Sequence, residues 1–399
     1  MKNSARKLLA LLLALCTLLS LSVLSSCGKT GDTMLSLGSA KITDKMFTFW
    51  LSRYKAQFLY AYGDSLKEIS GTSDAETFWQ MKVDSSVDAR TYDELFTEYV
   101  YDNAMTYLVS LYLYDEFGLK LPEETEKMLE DTINEMMEDL AGGSKNEFNA
   151  TLAQYGFNLD TLRACYEINE KVNQLQNYIF SDNGPEKITS DVLDDYYEKT
   201  YVRMSQICIF YDQCPEKDEN GSYNVDSEGN IIYRNMSEAE KAAARAKSEE
   251  ALAKINAGTD FATVAAEYNE NTESDIYTDG IYLSSDNVYA SGSDAALIYE
   301  TLLSMNEGEV KLIELEHTLH IIRKLPLTAR AYENSVNIDF FTFYDSSVQN
   351  YVSFSEYVKT PLYLEYIEKK KEELKDKIKV DEDVKARQSI ATVNANSTF

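Results

Sequence analysis

Apolar residues spaced three and four apart dominate the first half of the chain. Phe47, Trp50, Leu51, Tyr54, Phe58 and Tyr62 form one such stripe, with Thr43 placed to cap the helix. A second stripe, Leu95, Tyr99, Leu108, Leu111 and Tyr114, follows the capping box Thr91-Tyr92-Asp93-Glu94 and stops at Gly118. Pro122 opens a third helix that Gly142-Gly143 ends. Ser144-Lys145-Asn146-Glu147 caps a fourth, and Leu159 to Phe180 makes a fifth. Ahead of them, Met34 to Ala40 alternates as a short strand would. Residues 43–180 are therefore expected to be mostly helical, and Ser181-Asp182-Asn183-Gly184-Pro185 breaks the pattern as turn residues do.

The pattern then changes. Ile188 to Thr200 reads as a helix and Val202 to Tyr211 as a buried strand. Residues 212–236 are polar, with turn signals at Asn220-Gly221 and Glu228-Gly229. The capping box Ser237-Glu238-Ala239-Glu240 opens a helix that Gly258 ends. Phe261 to Tyr268 and Ala295 to Met305 are short amphipathic helices, and Val310 to Leu325 carries strand pattern up to Pro326. A strand, helices and further strands make an α+β unit. Helix returns after it, most clearly from Pro361 to Lys379, and the last residues are expected to fray. The expected organisation is a helical domain over 34–200, an inserted antiparallel sheet-and-helix domain over 201–327, and a helical segment over 328–399 that packs back on the first domain.

The start of the chain adds an address. Lys2, Arg6 and Lys7 precede the apolar run Leu8 to Leu24, short for a bilayer span of about 20 residues but of the length of a secretory leader. Leu24-Ser25-Ser26-Cys27 resembles the bacterial lipobox. The resemblance implies cleavage after residue 26, lipid on Cys27, a tether over 27–33, and a protein held on the extracytoplasmic face of the cell membrane. The 373 residues left would suffice for two or three domains of about 150 each.

Charge narrows the partners. Losing the leader's three cations would take the net charge from −29 to −32. Such a surface repels phosphate backbones and anionic headgroups, so neither nucleic acid nor direct lipid binding is expected, and membrane contact falls to the lipid anchor alone. Beyond Cys27 stand Cys165, Cys208 and Cys214, an odd number with no disulfide framework. Cys208 and Cys214 could pair across a turn; unpaired thiols are the simpler expectation.

Four stretches between residues 202 and 325 then fall in a telling order. They are Val202-Arg203-Met204-Ser205-Gln206-Ile207-Cys208-Ile209, Gly258-Thr259-Asp260-Phe261 with Val264-Ala265, Gly308-Glu309-Val310, and Leu319-His320-Ile321-Ile322. In order and spacing they resemble a parvulin-type peptidyl-prolyl isomerase domain. The helical flanks resemble PrsA/SurA-type extracytoplasmic foldases, whose helical chaperone domain and C-terminal helix pack together around an inserted parvulin unit. The resemblance implies unfolded or newly exported polypeptides as partners, and no cofactor.

Parvulins resemble one another in using two histidines on neighbouring strands, a nearby Cys or Asp, and an apolar shelf for proline. On these positions His320 matches the second histidine, Gln206 stands for the first, and Asn271 falls at the Cys/Asp position. The glycine-rich segment is reduced to Thr278-Asp279-Gly280-Ile281, and Ile298 with neighbouring Met305 takes the shelf. The resemblance thus implies a partly eroded site. Rotation about an imide breaks no covalent bond and faces a barrier of about 18–20 kcal/mol, so the catalyst supplies an apolar seat and hydrogen bonds. Gln and Asn keep hydrogen-bonding ability.

Other chemistry finds less support. His317 and His320 lie three apart on a strand, hence on opposite faces, and no metal is expected. Asn224 to Gly229 partly imitates a calcium loop, but position twelve is Asn235, so a hairpin turn is expected. The aromatic stripes could cradle client chains; residue by residue, filling helix–helix interfaces is the simpler expectation. A solute-binding lipoprotein would need alternating strands and helices that this chain lacks, and a structural surface lipoprotein without isomerase activity is the remaining alternative.

Overall fold

The computed structural model describes residues 31–86, 89–219, 221–271, 280–286, 288, 293–345 and 350–399. The leader and Cys27, and so the lipidation expected there, lie outside the described residues. The chain is α+β and divides into two compact units, residues 31–189 with 343–399, and residues 190–342. The expected limits of 200 and 327 fall inside the second unit. Tyr197 explains the difference: it is 2% exposed and its ring meets Tyr201, Tyr282, Tyr332 and Phe341. An aromatic cluster of this kind joins sequence on both sides of the sheet into one core, which periodicity alone does not reveal.

The helical unit begins with β1 (Thr33–Leu37) antiparallel to β2 (Ala40–Thr43). Thr43 accepts a hydrogen bond from the Met46 amide and so starts α1 (Asp44–Tyr62). Helix α1 buries Phe47, Trp50, Leu51, Tyr54 and Phe58. Helix α2 (Ala75–Gln80) adds Phe78 and Trp79, and α3 (Tyr92–Glu116) starts at the Thr91–Glu94 capping box. The Phe58 ring lies 5.3 Å from Phe78 and 4.9 Å from Phe96. These stripes are interior packing, each buried side chain contributing on the order of 1.5–3 kcal/mol. Helices α4 (Glu123–Ala141), α5 (Lys145–Ala153) and α6 (Leu159–Ile179) complete this half.

The C-terminal segment belongs to the same unit. In the helix Lys359–Leu374, Tyr363 donates to the Ser110 hydroxyl of α3 at 2.7 Å, and the strand Lys379–Val380 pairs with β1. The final residues, expected to fray, are instead held. Lys55 donates to the carbonyls of Ala391 and Val393, Asp93 accepts from the Ala391 amide, and Phe399 is 2% exposed against Phe148 and Phe157. These residues carry no helical or strand period, and side-chain partners rather than secondary structure fix them.

The second unit runs α7 (Ser190–Thr200), β3 (Tyr201–Phe210), β4 (Gln213–Pro215), β5 (Tyr233–Asn235), α8 (Glu238–Asn256), α9 (Phe261–Tyr268), β6 (Ile281–Ser284), α10 (Ser293–Leu303), β7 (Val310–Glu314) and β8 (Thr318–Leu325). Four strands form an antiparallel sheet in the order β6-β3-β8-β7, and β4 pairs with β5 in a hairpin of its own. Side chains alternate between faces along each strand. Ile207, Ile209, Leu319 and Ile321 pack with Ala251, Phe261 and Val264 of α8 and α9. Val202, Met204 and Ile322 pack on the opposite face with Ile298, Tyr299 and Leu302 of α10.

Candidate functional site

The two central strands bring Gln206 and His320 together. Cys208 stands directly opposite His320 and Gln206 opposite Ile322, so Gln206 and His320 are diagonal neighbours on one face. The Nδ1 of His320 lies 3.1 Å from the Gln206 Oε1. His320 is only 8% exposed, and burial pushes its imidazole down to about 4, with the Asp294 carboxylate of α10 opposing the shift. The ring is therefore neutral at neutral pH. An amide oxygen can only accept, so Nδ1–H donates to Gln206 and Nε2 keeps its lone pair. The Gln206 amide N–H groups remain donors. Burial likewise pushes the Cys208 thiol up to about 12, with Glu270 adding to the shift, and the thiol stays protonated.

The edge of β3 beside this pair is completed without a strand. Strand β6 covers Tyr201 to Met204 and stops. Beyond it the Asn269 Oδ1 accepts from the Cys208 amide at 2.9 Å, the Glu270 amide donates to the Cys208 carbonyl at 2.8 Å, and the Glu270 carboxylate accepts from the Phe210 amide at 2.7 Å. Asn271 follows immediately, its carbonyl accepting from the Asn269 side chain at 2.6 Å. The structure thus brings Asn271 to the sheet edge through the backbone. Asn269 and Glu270 hold the segment there, and sequence reasoning passed over both. The signal available was Asn269 at the end of α9, a residue type whose side chain mimics a backbone group.

The two residues of the expected proline shelf are buried. Ile298 and Met305 do lie on the His320 face with Met204 and Ile322, but at 7% and 4% exposure they are core residues. Thr278 and Asp279 lie outside the described residues. His317 is not part of the site. It sits at the β7–β8 turn, where its carbonyl accepts from the amides of Tyr211 and Asp212 and its Nδ1 lies 3.2 Å from the Asp212 carboxylate. Among the described residues no group of three or more His, Cys, Asp or Glu could hold a metal ion. Cys165, Cys208 and Cys214 are free thiols.

The site is a buried imidazole held by an amide on a sheet packed by helices on both faces. Residues 202–325 match the PPIC-type PPIASE domain family. Among solved structures the chain is similar to PrsA from Bacillus subtilis, at 16% identity over 75% of this chain and 98% of that one, with a TM-score of 0.24. It is also similar to the foldase protein PrsA from Streptococcus pneumoniae, at 15% identity over 89% of this chain and 97% of that one, with a TM-score of 0.22. Superposition at this level carries no argument about the whole chain. No curated protein matches it.

Proposed function

We propose that this protein is an extracytoplasmic folding factor that acts on newly exported polypeptides, held at the membrane by lipid on Cys27. The observation that carries the reading is the Gln206–His320 bond at 3.1 Å inside a PPIC-type domain. Rotation about a prolyl imide needs hydrogen bonds to the twisted form, and this pair offers an amide donor beside a fixed acceptor nitrogen without any proton transfer. The site differs from the two-histidine arrangement, so its rate is expected to be modest. The lipobox-like Leu24-Ser25-Ser26-Cys27 behind its apolar run supports the address.

The decisive measurement is cis/trans exchange of an Ala-Pro tetrapeptide, followed by NMR, with the protein lacking its leader. Acceleration lost in His320→Ala supports the reading. One observation favours the rival, a surface lipoprotein without isomerase activity: Ile298 and Met305 are closed as core. No acceleration, together with no suppression of aggregation of an unfolded client, would establish that rival. For the address, Cys27→Ala should remain unprocessed or be shed into the medium. Membrane retention of that variant at mature mass would refute the anchor.

A further inference from the structure

Between β3 and α8 the chain leaves the sheet as an arm, residues 213–235. Strands β4 and β5 form its base. Above them the segment around Asn224 joins both: the Asn224 amide donates to the Glu216 carbonyl and the Ile232 amide to the Asn224 carbonyl, each at 2.9 Å. Isolated bridges pair Lys217 with Tyr223 and Val225 with Ile231. Among its described residues the arm is a small antiparallel sheet.

Its surface is unusual for a solvated hairpin. Tyr223, Val225, Ile231, Ile232 and Tyr233 are 40%, 53%, 40%, 37% and 49% exposed. Exposed apolar residues normally occur singly, and a cluster in one short segment marks an interaction surface. The arm is also continuous with the candidate site. Tyr233 lies 6.3 Å, ring to ring, from Phe210, which alternation places on the same face of β3 as Gln206 and Cys208. Its charge selects the occupant. Glu216, Asp218, Glu219, Asp226 and Glu228 outnumber Lys217 and Arg234. Both cations are already engaged, Lys217 over the Tyr223 ring at 4.9 Å and Arg234 with Glu240 at 2.6 Å.

We propose that this arm docks the part of a polypeptide that flanks the isomerised proline, and that it takes extended segments combining apolar side chains with Lys or Arg. The proposal deepens the reading of the Gln206–His320 site as a prolyl isomerase and rests on it. An extended chain can lay alternate apolar side chains on Tyr223, Val225, Ile231 and Tyr233 while its cations face the arm's carboxylates.

The test uses the full chain without its leader and two fluorescent fourteen-residue peptides. Both carry one central Ala-Pro and two Leu, with either two Lys or two Glu on the same flank. Wild type should bind the Lys peptide on the order of tenfold more tightly than the Glu peptide, a difference of about 1.4 kcal/mol. The variant Val225→Ser/Ile231→Ser/Tyr233→Ser should lose about tenfold in affinity for the Lys peptide. Its exchange rate on the Ala-Pro tetrapeptide should match wild type, because none of the three residues belongs to the catalytic pair. A second variant, Glu216→Gln/Glu219→Gln/Glu228→Gln, should bind both peptides alike, and it keeps the test valid if the serine variant fails to fold. Unchanged Lys-peptide affinity in a folded serine variant, or equal affinity of wild type for the two peptides, overturns the proposal. Arm-dependent binding without tetrapeptide exchange would sink the isomerase reading and leave the docking surface standing.

Discussion

On one face of the β6-β3-β8-β7 sheet, Ile207, Ile209, Leu319 and Ile321 pack in an apolar cluster with residues of α8 and α9. On the other, the same two strands hold Gln206, Cys208 and His320 beside an apolar cluster under α10. The strands are shared, and alternation alone assigns each residue to its face. A buried imidazole costs free energy unless a partner satisfies it, and here Gln206 does so across the diagonal. The first face stabilises the domain; the second gives up part of that stability to keep a fixed amide and a neutral nitrogen together.

Four measurements would break or sharpen this contrast, beginning with the largest effect. On the apolar face, Phe261→Ala should lower unfolding free energy by about 3–5 kcal/mol, because α9 would lose its main anchor under the sheet. Tetrapeptide exchange by the fraction still folded should be unchanged, and a selective loss of exchange would blur the division between faces. On the polar face, Gln206→Leu should do the reverse. Exchange should fall on the order of 10²–10³-fold, as when one transition-state donor is removed, while the loss of the imidazole's partner should cost only about 1–3 kcal/mol of stability. A Gln206→Leu variant with normal exchange would show that the pair is only structural.

The third measurement is pH dependence. His320 titrates near about 4 in the folded protein, below its ordinary 6.5. Its contribution to stability is therefore complete above pH 6.5, declines as the pH falls below that, and is lost as the pH passes through 4. The loss approaches about 3 kcal/mol. Chemical denaturation of wild type and His320→Gln across this range should converge toward acid. Parallel curves would mean that the ring is not buried as described. Exchange should also stay flat from pH 6 to 9, since imidazole and Cys208 thiol both remain neutral there. The smallest effect concerns the edge of β3. Asn269→Ala leaves the Cys208 amide without its partner and should cost about 1–3 kcal/mol, with hydrogen exchange quickening at Cys208 but not at Ile321.

Much of the fold was legible because local rules and tertiary packing agree. The capping boxes at Thr91 and Ser237 begin helices as expected, and the strand at residues 201–210 stands within one residue of the buried strand expected from Val202 to Tyr211. Gln206 and His320 were expected on neighbouring strands because the resemblance to parvulins implies it, and the register places them there. What escaped depends on contacts distant in sequence. Tyr197 and Phe341 carry no pattern that says they share a core, which displaced the domain limits. The tail is fixed by Lys55 and Asp93, whose roles become visible only with their partners. Ile298 aligned with a shelf position, yet burial depends on how α10 settles on the sheet. The apolar side chains of the arm were masked by their polar neighbours.

The helical unit is discontinuous, and Leu35 of β1 finds its partner in Val380. This has a kinetic consequence. The inserted unit is contiguous, so its strands and helices can assemble as soon as residues 190–342 are available, whereas the three-stranded sheet of the helical unit must wait for the far end of the chain. Closing so long a loop costs entropy, though the cost grows only with the logarithm of its length. Prior folding of the insert shortens the effective loop and eases closure. Pairings of such sequence separation slow folding, so refolding should show two phases, the insert first and the helical unit later. A molecule that completes its sheet-and-helix unit before its helical unit would keep α1 and α3 open longest, at the stage when their aromatic residues are most prone to self-association.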